Sequence, residues 1–461
     1  MRQGRSTIQM RSILAALLAG LAVLAGLSSC SVSSADVRSL EDIKSSGKLI
    51  IVTRNAPTTY YVDRHGDAAG IEYEMALSFA EYFGVEVEVE VIHTISGILE
   101  AVQSGQGDIG TAGLTYTTGR SGDFKIGPVY QTVKQQVIGR RGGKRPKTIG
   151  DLENVNLHVV ARSSYEERLL ELKKEHTDLV WVANDTLDTE QLLEKVWRGE
   201  IDCTISDENI FLINRRYYPE LVTTMSLSDP EPLAWFLNQE SEELRRAMHD
   251  WYGEFETSGE HSLLMNKYYG HVEIFDYVDT RKFVCSIDST LPKYQPMFVE
   301  AADRRDLGWT LLAAQSYQES HWRPRAKSPT GVRGIMMLTL PTAKDMGVSN
   351  RLDPEQSIHG GAKYLREMID RLPEEIVEPD RTWIALAAYN VGMGHMYDAR
   401  ELARRLGKDP DLWVDMQEVL PLLAQKKYYK TVNHGYARGS EPVLYVSRIR
   451  NYEDILKRAV D

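Results

Sequence analysis

From about residue 48, the hydrophobic pattern alternates between short apolar runs and segments with helical spacing. Residues 49–53 predict a buried strand, and residues 71–83 place apolar side chains at helical spacing. Residues 85–92 alternate strictly, which is typical of a half-buried strand. The cycle breaks at the Gly/Pro segment 142–146 and resumes with a strand at 157–160. This alternation predicts two α/β lobes, each a mainly parallel sheet covered by helices.

After residue 270 the strand signals stop and the pattern becomes helical. A long amphipathic helix is predicted to return the chain to the first lobe over residues 242–269, followed by a connector at 271–281. Further helices are predicted at residues 289–300, 306–321 and 358–372. The second half of the chain is therefore predicted to be a mainly α domain.

Length, charge and cysteine count narrow the class of protein. A chain of 461 residues suggests two or three domains. A formal net charge of −12 argues against a nucleic-acid partner, which would need a basic face. Three cysteines exclude a disulfide-dense scaffold. Cys203 and Cys285 are predicted to be unpaired packing residues, and a disulfide between them is the alternative.

The N-terminus has the features of an export signal. Arginines precede an uncharged apolar run at residues 13–27, which is too short to span a bilayer comfortably. The run ends in Leu27-Ser28-Ser29-Cys30, which resembles a bacterial lipobox. The resemblance implies a signal peptide at residues 1–29 and lipidation of Cys30. The residue after the cysteine is Ser31 and not aspartate, which is similar to the sorting pattern of outer-membrane lipoproteins. An ordinary cleaved signal with a chance cysteine is the alternative.

The α/β region, residues 31–270, resembles the periplasmic solute-binding proteins of the polar-amino-acid type. The residues that carry the resemblance are the segment from Thr117 to Arg120 and the pattern from Gly199 to Asp207. It implies a regulatory domain in which Arg120 binds the α-carboxylate and Asp207 the ammonium of a small amino-acid or peptide-like ligand. Alternatively, the arginine is solvated and the aspartate caps a helix. Hinges are expected near residues 131–137 and 225–232.

Glu319 is a candidate general acid in the helical region. It follows Leu312 by seven residues, so helical periodicity places it on the apolar side of its helix. A carboxyl group there is desolvated, which raises its pKa and keeps it protonated near neutral pH. Protonation of a glycosidic oxygen requires such a group. The alternative is a glutamate whose carboxylate reaches water beyond the last turn.

The stretch from Glu319 onward closely resembles the soluble-lytic-transglycosylase signature. Seven residues match at the family spacing, with Met337 in place of the family glutamine and Val332 in place of an alanine: Glu319, Ser320, Ala326, Ser328, Gly331, Gly334 and Met336. Downstream, Ala388-Tyr389-Asn390 and Tyr445-Val446 match two further family motifs. The chain thus has a binding domain followed by a transglycosylase-like domain. This order is similar to that of membrane-bound lytic murein transglycosylases.

That resemblance implies a lysozyme-like α domain over residues 271–461, with peptidoglycan strands as its substrate. Members of the family are carbon–oxygen lyases that cleave the β-1,4 bond between N-acetylmuramic acid and N-acetylglucosamine. They do so without water and leave a 1,6-anhydro ring. Glu319 would be the catalytic residue. Substrate contacts are expected from Ser328, Met337, Tyr389, Asn390 and Tyr445.

Several alternatives stay open at this stage. Tyr389, Tyr445 and Trp322 could equally pack in the core. A hydrolytic lysozyme-like muramidase and a non-catalytic solute-binding receptor are the rival functions. The sequence does not place Asp345, Asp353 or Glu355 relative to Glu319. No metal or other cofactor is expected, because the histidines are isolated in sequence: His321, His359, His395 and His434.

Overall fold

The computed structural model describes residues 37–62, 67–272, 275–328 and 331–460. Its strands build two five-stranded sheets and a small hairpin. The strands are β1 (Lys48–Thr53), β2 (Tyr61–Val62), β3 (Ala68–Ala69), β4 (Glu86–Val91), β5 (Ile109–Gly110), β6 (Phe124–Val133), β7 (Gln135–Arg140), β8 (Leu157–Val160), β9 (Val182–Asn184), β10 (Cys203–Asp207), β11 (Leu221–Ser226) and β12 (Glu231–Asn238).

Helices cover both sheets. They are α1 (Leu40–Ser46), α2 (Ile71–Phe83), α3 (Ile95–Gln103), α4 (Ser164–Leu172), α5 (Thr189–Arg198), α6 (Glu208–Asn214), α7 (Glu242–Thr257) and α8 (Glu260–Tyr269), with a 3₁₀ turn at Gly150–Asn154. The predicted helix at residues 71–83 is confirmed as α2 because Met75, Phe79 and their helical neighbours point into the first core.

The two sheets are two lobes joined by two crossings. The first sheet has the order β4-β1-β5-β12-β6 and the second β11-β7-β10-β8-β9. The chain passes from β6 to β7 at Lys134 and returns between β11 and β12 at residues 227–230. Both crossings fall inside the segments where hinges were expected. The two-lobed α/β architecture predicted from the sequence is confirmed. The prediction of parallel sheets is wrong in part, because β12 pairs antiparallel with β5 and β6, and β7 pairs antiparallel with β10 and β11.

The predicted single helix over residues 242–269 is wrong, because the structure divides it into α7 and α8. The break lies at Gly259, whose backbone has φ +88°, in the left-handed region. Ser258 also turns its hydroxyl back to the carbonyl oxygen of Phe255 and so ends α7. Amphipathic spacing continues across the break, and for that reason the pattern alone did not show it.

After α8, every regular element in the described part of the chain is helical, which confirms the predicted mainly α second part. The helices are α9 (Tyr277–Ser289), α10 (Gln295–Asp303), α11 (Trp309–Ser320), α12 (Leu340–Met346), α13 (Pro354–Asp370), α14 (Asp380–Val391), α15 (Met393–Arg405), α16 (Trp413–Val419), α17 (Lys426–Tyr429) and α18 (Ser440–Val460), with 3₁₀ turns at Leu291–Lys293 and Leu420–Ala424. Helix α11 is buried along most of its length and packs against α10 and α18.

The segment 271–281 is not only a connector, because α9 begins within it. Asp276 caps this helix by accepting hydrogen bonds from the backbone N–H groups of Val278 and Asp279. The prediction for Cys285 is also wrong in part: both Cys203 and Cys285 are free, but Cys285 is exposed. Helix α9 buries Phe283 and Ile287 instead and turns Cys285 outward.

The N-terminal predictions cannot be compared with this structure. The signal peptide at residues 1–29 and Cys30 lie outside the described residues. Within residues 37–460, apart from the three short internal gaps, no helix is long and apolar enough to cross a membrane.

Candidate active site and ligand cleft

The carboxyl group of Glu319 lies on the penultimate residue of α11 and faces α18. The hydroxyl group of Tyr445, on α18, donates a hydrogen bond to Oε1 of Glu319 at 2.6 Å. Burial raises the pKa of Glu319 to about 7, and the bond from Tyr445 opposes this rise only in part. The group is therefore substantially protonated near neutral pH, as a general acid must be.

A second polar residue of α11 completes this arrangement. The side-chain amide of Gln315 donates to the hydroxyl oxygen of Tyr445 at 3.2 Å. Gln315 is fully buried, so this bond fixes the direction of the Tyr445 hydroxyl toward Glu319. Gln315 is not among the residues that the sequence predicted for the site. Its position, one helical turn before Glu319, was the signal that could have found it.

The loop after α11 is held close to the site by its backbone. Gly334 has φ +95°, and a Cβ atom there would lie 1.9 Å from the carbonyl oxygen of Arg351, so only glycine fits. Tyr389 donates its hydroxyl to the carbonyl oxygen of Met336 at 3.1 Å. The neighbouring Met337 also has a left-handed backbone, φ +47°. These contacts explain why the signature requires a glycine at position 334.

The predicted substrate residues fall into two groups. Burial, and after it the nearby charge of Glu319, raises the pKa of both Tyr445 and Tyr389. Ser328 lies in the loop after α11, where its N–H donates to the carbonyl oxygen of Val332, and Asn390 is exposed at the end of α14. Trp322 is a core residue: it is buried and donates its indole N–H to Ala313.

The three carboxylates that the sequence could not place are engaged or exposed elsewhere. Asp353 caps α13 by accepting from the N–H of Gln356. Glu355 meets Glu300 and His359, with their potential ligand atoms within 4.8 Å of one another, so His359 is not isolated in space. Asp345 lies on α12, and its side chain is exposed. In the described part of the chain, the pKa shift of Glu319 has no contribution from a second carboxylate.

The cleft between the two lobes forms a second candidate site. Arg120 and Asp207 are both buried and line a cavity of about 40 Å³ between the sheets. Asp207 is the last residue of β10, where side chains at the carboxyl end of a sheet meet the cleft. Burial raises its pKa to about 7, and the Tyr165 hydroxyl and the charge of Arg54 oppose the rise. The structure thus brings the two predicted ligand residues together.

Two ion pairs connect the lobes across this cleft. Arg120, from the first lobe, pairs with Glu167 of the second at 2.7 Å. Arg54, from the first lobe, pairs with Glu190 of the second at 3.0 Å. Both arginine side chains are nearly inaccessible to solvent. Sequence reasoning missed Glu167 and Glu190, because each meets its partner only when the lobes close.

Comparisons with known proteins agree with the two parts of the structure. The family described as "Bacterial extracellular solute-binding proteins, family 3" matches residues 49–271, and the "Transglycosylase SLT domain" matches residues 296–412. The P235GK mutant of ArgBP from T. maritima has a TM-score of 0.46 and 22% identity, and the alignment covers 50% of this chain and 98% of that one.

Relatives extend over nearly the whole chain. "Membrane-bound lytic murein transglycosylase F" of Saccharophagus degradans is 47% identical over 92% of this chain and 85% of its own. The protein of the same name from Aliivibrio fischeri is 45% identical over 93% of this chain and 87% of its own.

Proposed function

The chain belongs to the membrane-bound lytic murein transglycosylase F family and is a lytic murein transglycosylase, and we propose that Glu319 is its catalytic acid and base. The observation that carries the proposal is the environment of this carboxyl group. This carboxyl group is partly buried on α11, burial raises its pKa to about 7, and the phenol of Tyr445 donates a hydrogen bond to it.

A single carboxyl group is sufficient for the reaction. Protonated Glu319 gives its proton to the glycosidic oxygen as the bond from that oxygen to C1 of N-acetylmuramic acid breaks. The resulting carboxylate then takes the proton of the muramic acid O6 hydroxyl while O6 bonds to C1. The product ends in a 1,6-anhydro ring, no water is consumed, and Glu319 is protonated again. A hydrolase ordinarily needs two carboxylates, whereas this scheme needs only one.

The remaining predicted residues are proposed to position the substrate. Tyr445 donates a hydrogen bond to Glu319, and Tyr389 lies close enough to interact with its charge. Ser328 and Met337 lie in the loop after α11, and Asn390 lies near the end of α14. The hydroxyl and amide groups among them suit the N-acetyl and hydroxyl groups of the sugars. Met337 offers an apolar surface instead of the amide that the family signature has there.

The decisive experiment is mass spectrometry of muropeptides released from purified peptidoglycan by the wild-type chain and by Glu319→Gln. We expect products with 1,6-anhydro ends from the wild type and a rate about 10²–10⁴-fold lower from the variant, the usual contribution of a general acid. Glu355→Gln, an exposed change in the same domain, should keep the wild-type rate.

Other outcomes would remove the proposal or the mechanism. Reducing ends, one water heavier, would indicate hydrolysis by the wild-type chain. Undiminished release of anhydro products by Glu319→Gln would assign the acid to another residue.

A lipid anchor is proposed for the N-terminus. The apolar run at residues 13–27 and the lipobox-like Cys30 support export, cleavage of residues 1–29 and attachment to the periplasmic face of the outer membrane. Replacement of Cys30 by Ser should then release the chain from the membrane fraction and abolish its labelling by fatty acid.

The cleft between the lobes is proposed to bind a small amino-acid or peptide-like ligand that regulates the enzyme. Asp207 would accept its ammonium group, because one buried oxygen of this carboxyl group faces no donor in the described part of the chain. For Arg120, the predicted role of binding an α-carboxylate would require the ligand to displace Glu167.

A further inference from the structure

We propose that Glu167 determines the ligand specificity of the cleft: it occupies the guanidinium of Arg120, so that the cleft selects a ligand by its ammonium group and disfavours a free α-carboxylate. The inference rests on the proposed ligand-binding role of the cleft. It concerns a residue of α4, in the lobe opposite Arg120.

Every nitrogen of the Arg120 guanidinium has a partner. Its Nε and Nη2 atoms contact Oε1 of Glu167 at 2.8 and 2.7 Å. Its Nη1 atom donates to the carbonyl oxygen of Thr115, and Nη2 also donates to that of Arg162. The hydroxyl of Thr117 donates to the other oxygen of Glu167 at 2.8 Å. Glu167 is thus held at both oxygens, and its Oε1 atom occupies the Nε and Nη2 donors that a ligand carboxylate would need.

The second arginine of the cleft cannot replace Arg120. Nη1 of Arg54 donates to Oε2 of Glu190 at 3.0 Å, and both side chains are largely buried. In the described part of the chain, Glu190 and Glu167 thus neutralise the two arginines of the cleft, and Asp188 and Asp207 add acidic groups to its wall. Burial raises the pKa of Asp207 to about 7, so near neutral pH this group carries only part of a negative charge. The balance is acidic and favours a cationic group.

Two buried oxygen atoms on the cavity wall lack a partner in the described part of the chain. They are Oδ1 of Asp207 and Oγ1 of Thr115, in residues that are 3% and 2% exposed. Both residues line the cavity of about 40 Å³, which has room for a group of a few atoms. An ammonium group fits this cavity in size and charge, and its three N–H donors can bond to these oxygen atoms.

A ligand with a free carboxylate meets an additional cost in this cleft. To reach Arg120 it must displace Glu167, which then loses both its charge partner and the bond from Thr117 while still partly buried. If Glu167 stays, the ligand carboxylate lies beside a neutralised arginine and an excess of negative charge. In both cases the acid binds more weakly than the corresponding amide or amine.

Matched ligand pairs test the proposal on the full-length chain in detergent. Isothermal titration calorimetry would compare L-alanine with L-alaninamide, and L-arginine with agmatine, which lacks the carboxylate. We expect the carboxylate-free member of at least one pair to bind about tenfold or more tightly than the acid. Acids that bind as tightly as their partners in both pairs would overturn the role of Glu167 and leave ligand binding standing.

The variant Glu167→Gln should reverse the preference. It removes the charge but keeps the shape, so Arg120 becomes available and the affinity for the acids should increase about tenfold. Glu171→Gln, which removes the same charge from the exposed side of α4, should keep the wild-type ratio. An unchanged ratio in Glu167→Gln overturns the inference. If no probe binds to any chain, the ligand-binding role falls together with it, whereas the muropeptide assay of Glu319 stays an independent result.

Discussion

One phenol positions the carboxyl group on which the proposed chemistry depends. Tyr445 is buried, and burial together with the charge of Glu319 raises its pKa well above the ordinary value, so it stays a neutral donor. Its bond to Oε1 stabilises the anionic form of Glu319 and therefore lowers the pKa that burial has raised. At the scale of single residues, Tyr445 both aims the acid and tunes its proton affinity.

Replacement of Tyr445 by Phe should therefore change the pH dependence as well as the rate. In the wild-type chain, activity should decrease as the pH rises through about 7, because the free enzyme then loses the proton of Glu319. Without the phenol the pKa of Glu319 rises further, so the alkaline limb of kcat/KM should move to higher pH. The maximal rate should fall about tenfold, since one hydrogen bond to the charged form is lost.

The measurement is a pH profile of anhydro-product release. Tyr436→Phe provides the control, because Tyr436 is exposed and its profile should match that of the wild type. An alkaline limb that stays in place in Tyr445→Phe would show that another group controls it.

The pair of helices α7 and α8 shows how one residue divides an element. Their apolar positions run almost without interruption, with Met248, Trp251 and Phe255 packing on the first lobe before the break and Leu264 after it. Gly259 ends this continuity through its left-handed backbone. The break allows α8 to change direction and place Tyr269 beside Asn209 at the edge of the cleft.

Two glycine-to-alanine changes in this pair should have opposite effects on stability. At Gly259 nothing lies within 4 Å of an added Cβ, so only backbone strain acts, and the free energy of unfolding should decrease by about 1 kcal/mol. At Gly253, in the exposed middle of α7, an added Cβ also meets nothing. Because alanine favours a helix more than glycine does, the free energy of unfolding should increase there by about 0.5–1 kcal/mol. Denaturant unfolding of both variants measures the difference. Equal effects would mean that α7 and α8 form one continuous helix in solution.

At the scale of the whole molecule, α18 connects the active site with both lobes. It carries Tyr445 at the active site, and one to two turns later Arg450 donates to the carbonyl oxygens of Asn266 and Lys267 in the first lobe. Asp454 pairs with Arg216 of the second lobe at 2.7 Å. Burial raises the pKa of Asp454, but His271 and Arg216 outweigh this and hold it well below its ordinary value. The helix that positions Glu319 is therefore in direct contact with both lobes.

Removal of Arg216 should weaken the connection between the two parts. In Arg216→Met, Asp454 and Asn451 lose a buried partner. We expect the free energy of interaction between the two parts to decrease by about 3 kcal/mol. Calorimetry should then show the unfolding transitions of the two parts moving apart. Lys457→Met removes an exposed charge from the same helix and should leave the thermogram unchanged. Identical thermograms for both variants and the wild type would show that this contact does not join the parts.

Local periodicity predicted much of the fold because each half has a clear hydrophobic period. The helix at residues 71–83 and the strand at 85–92 follow directly from their spacing. The start of α9 was missed because its buried residues, Thr280, Phe283 and Ile287, are too few for a strong stripe. The domain limits at residues 270 and 271 and the lipidation of Cys30 stay predictions.

By itself, the sequence determined the two-part architecture, the candidate acid and the family motifs, because all of these depend on spacing along one segment. Glu319 could be placed on the apolar side of its helix since Leu312 lies two turns earlier. Only the tertiary structure decided which groups meet. Tyr445 lies 126 residues from Glu319, and Glu167 lies 47 residues from Arg120. Such contacts depend on helix packing and on lobe closure, and neither leaves a periodic trace in the chain.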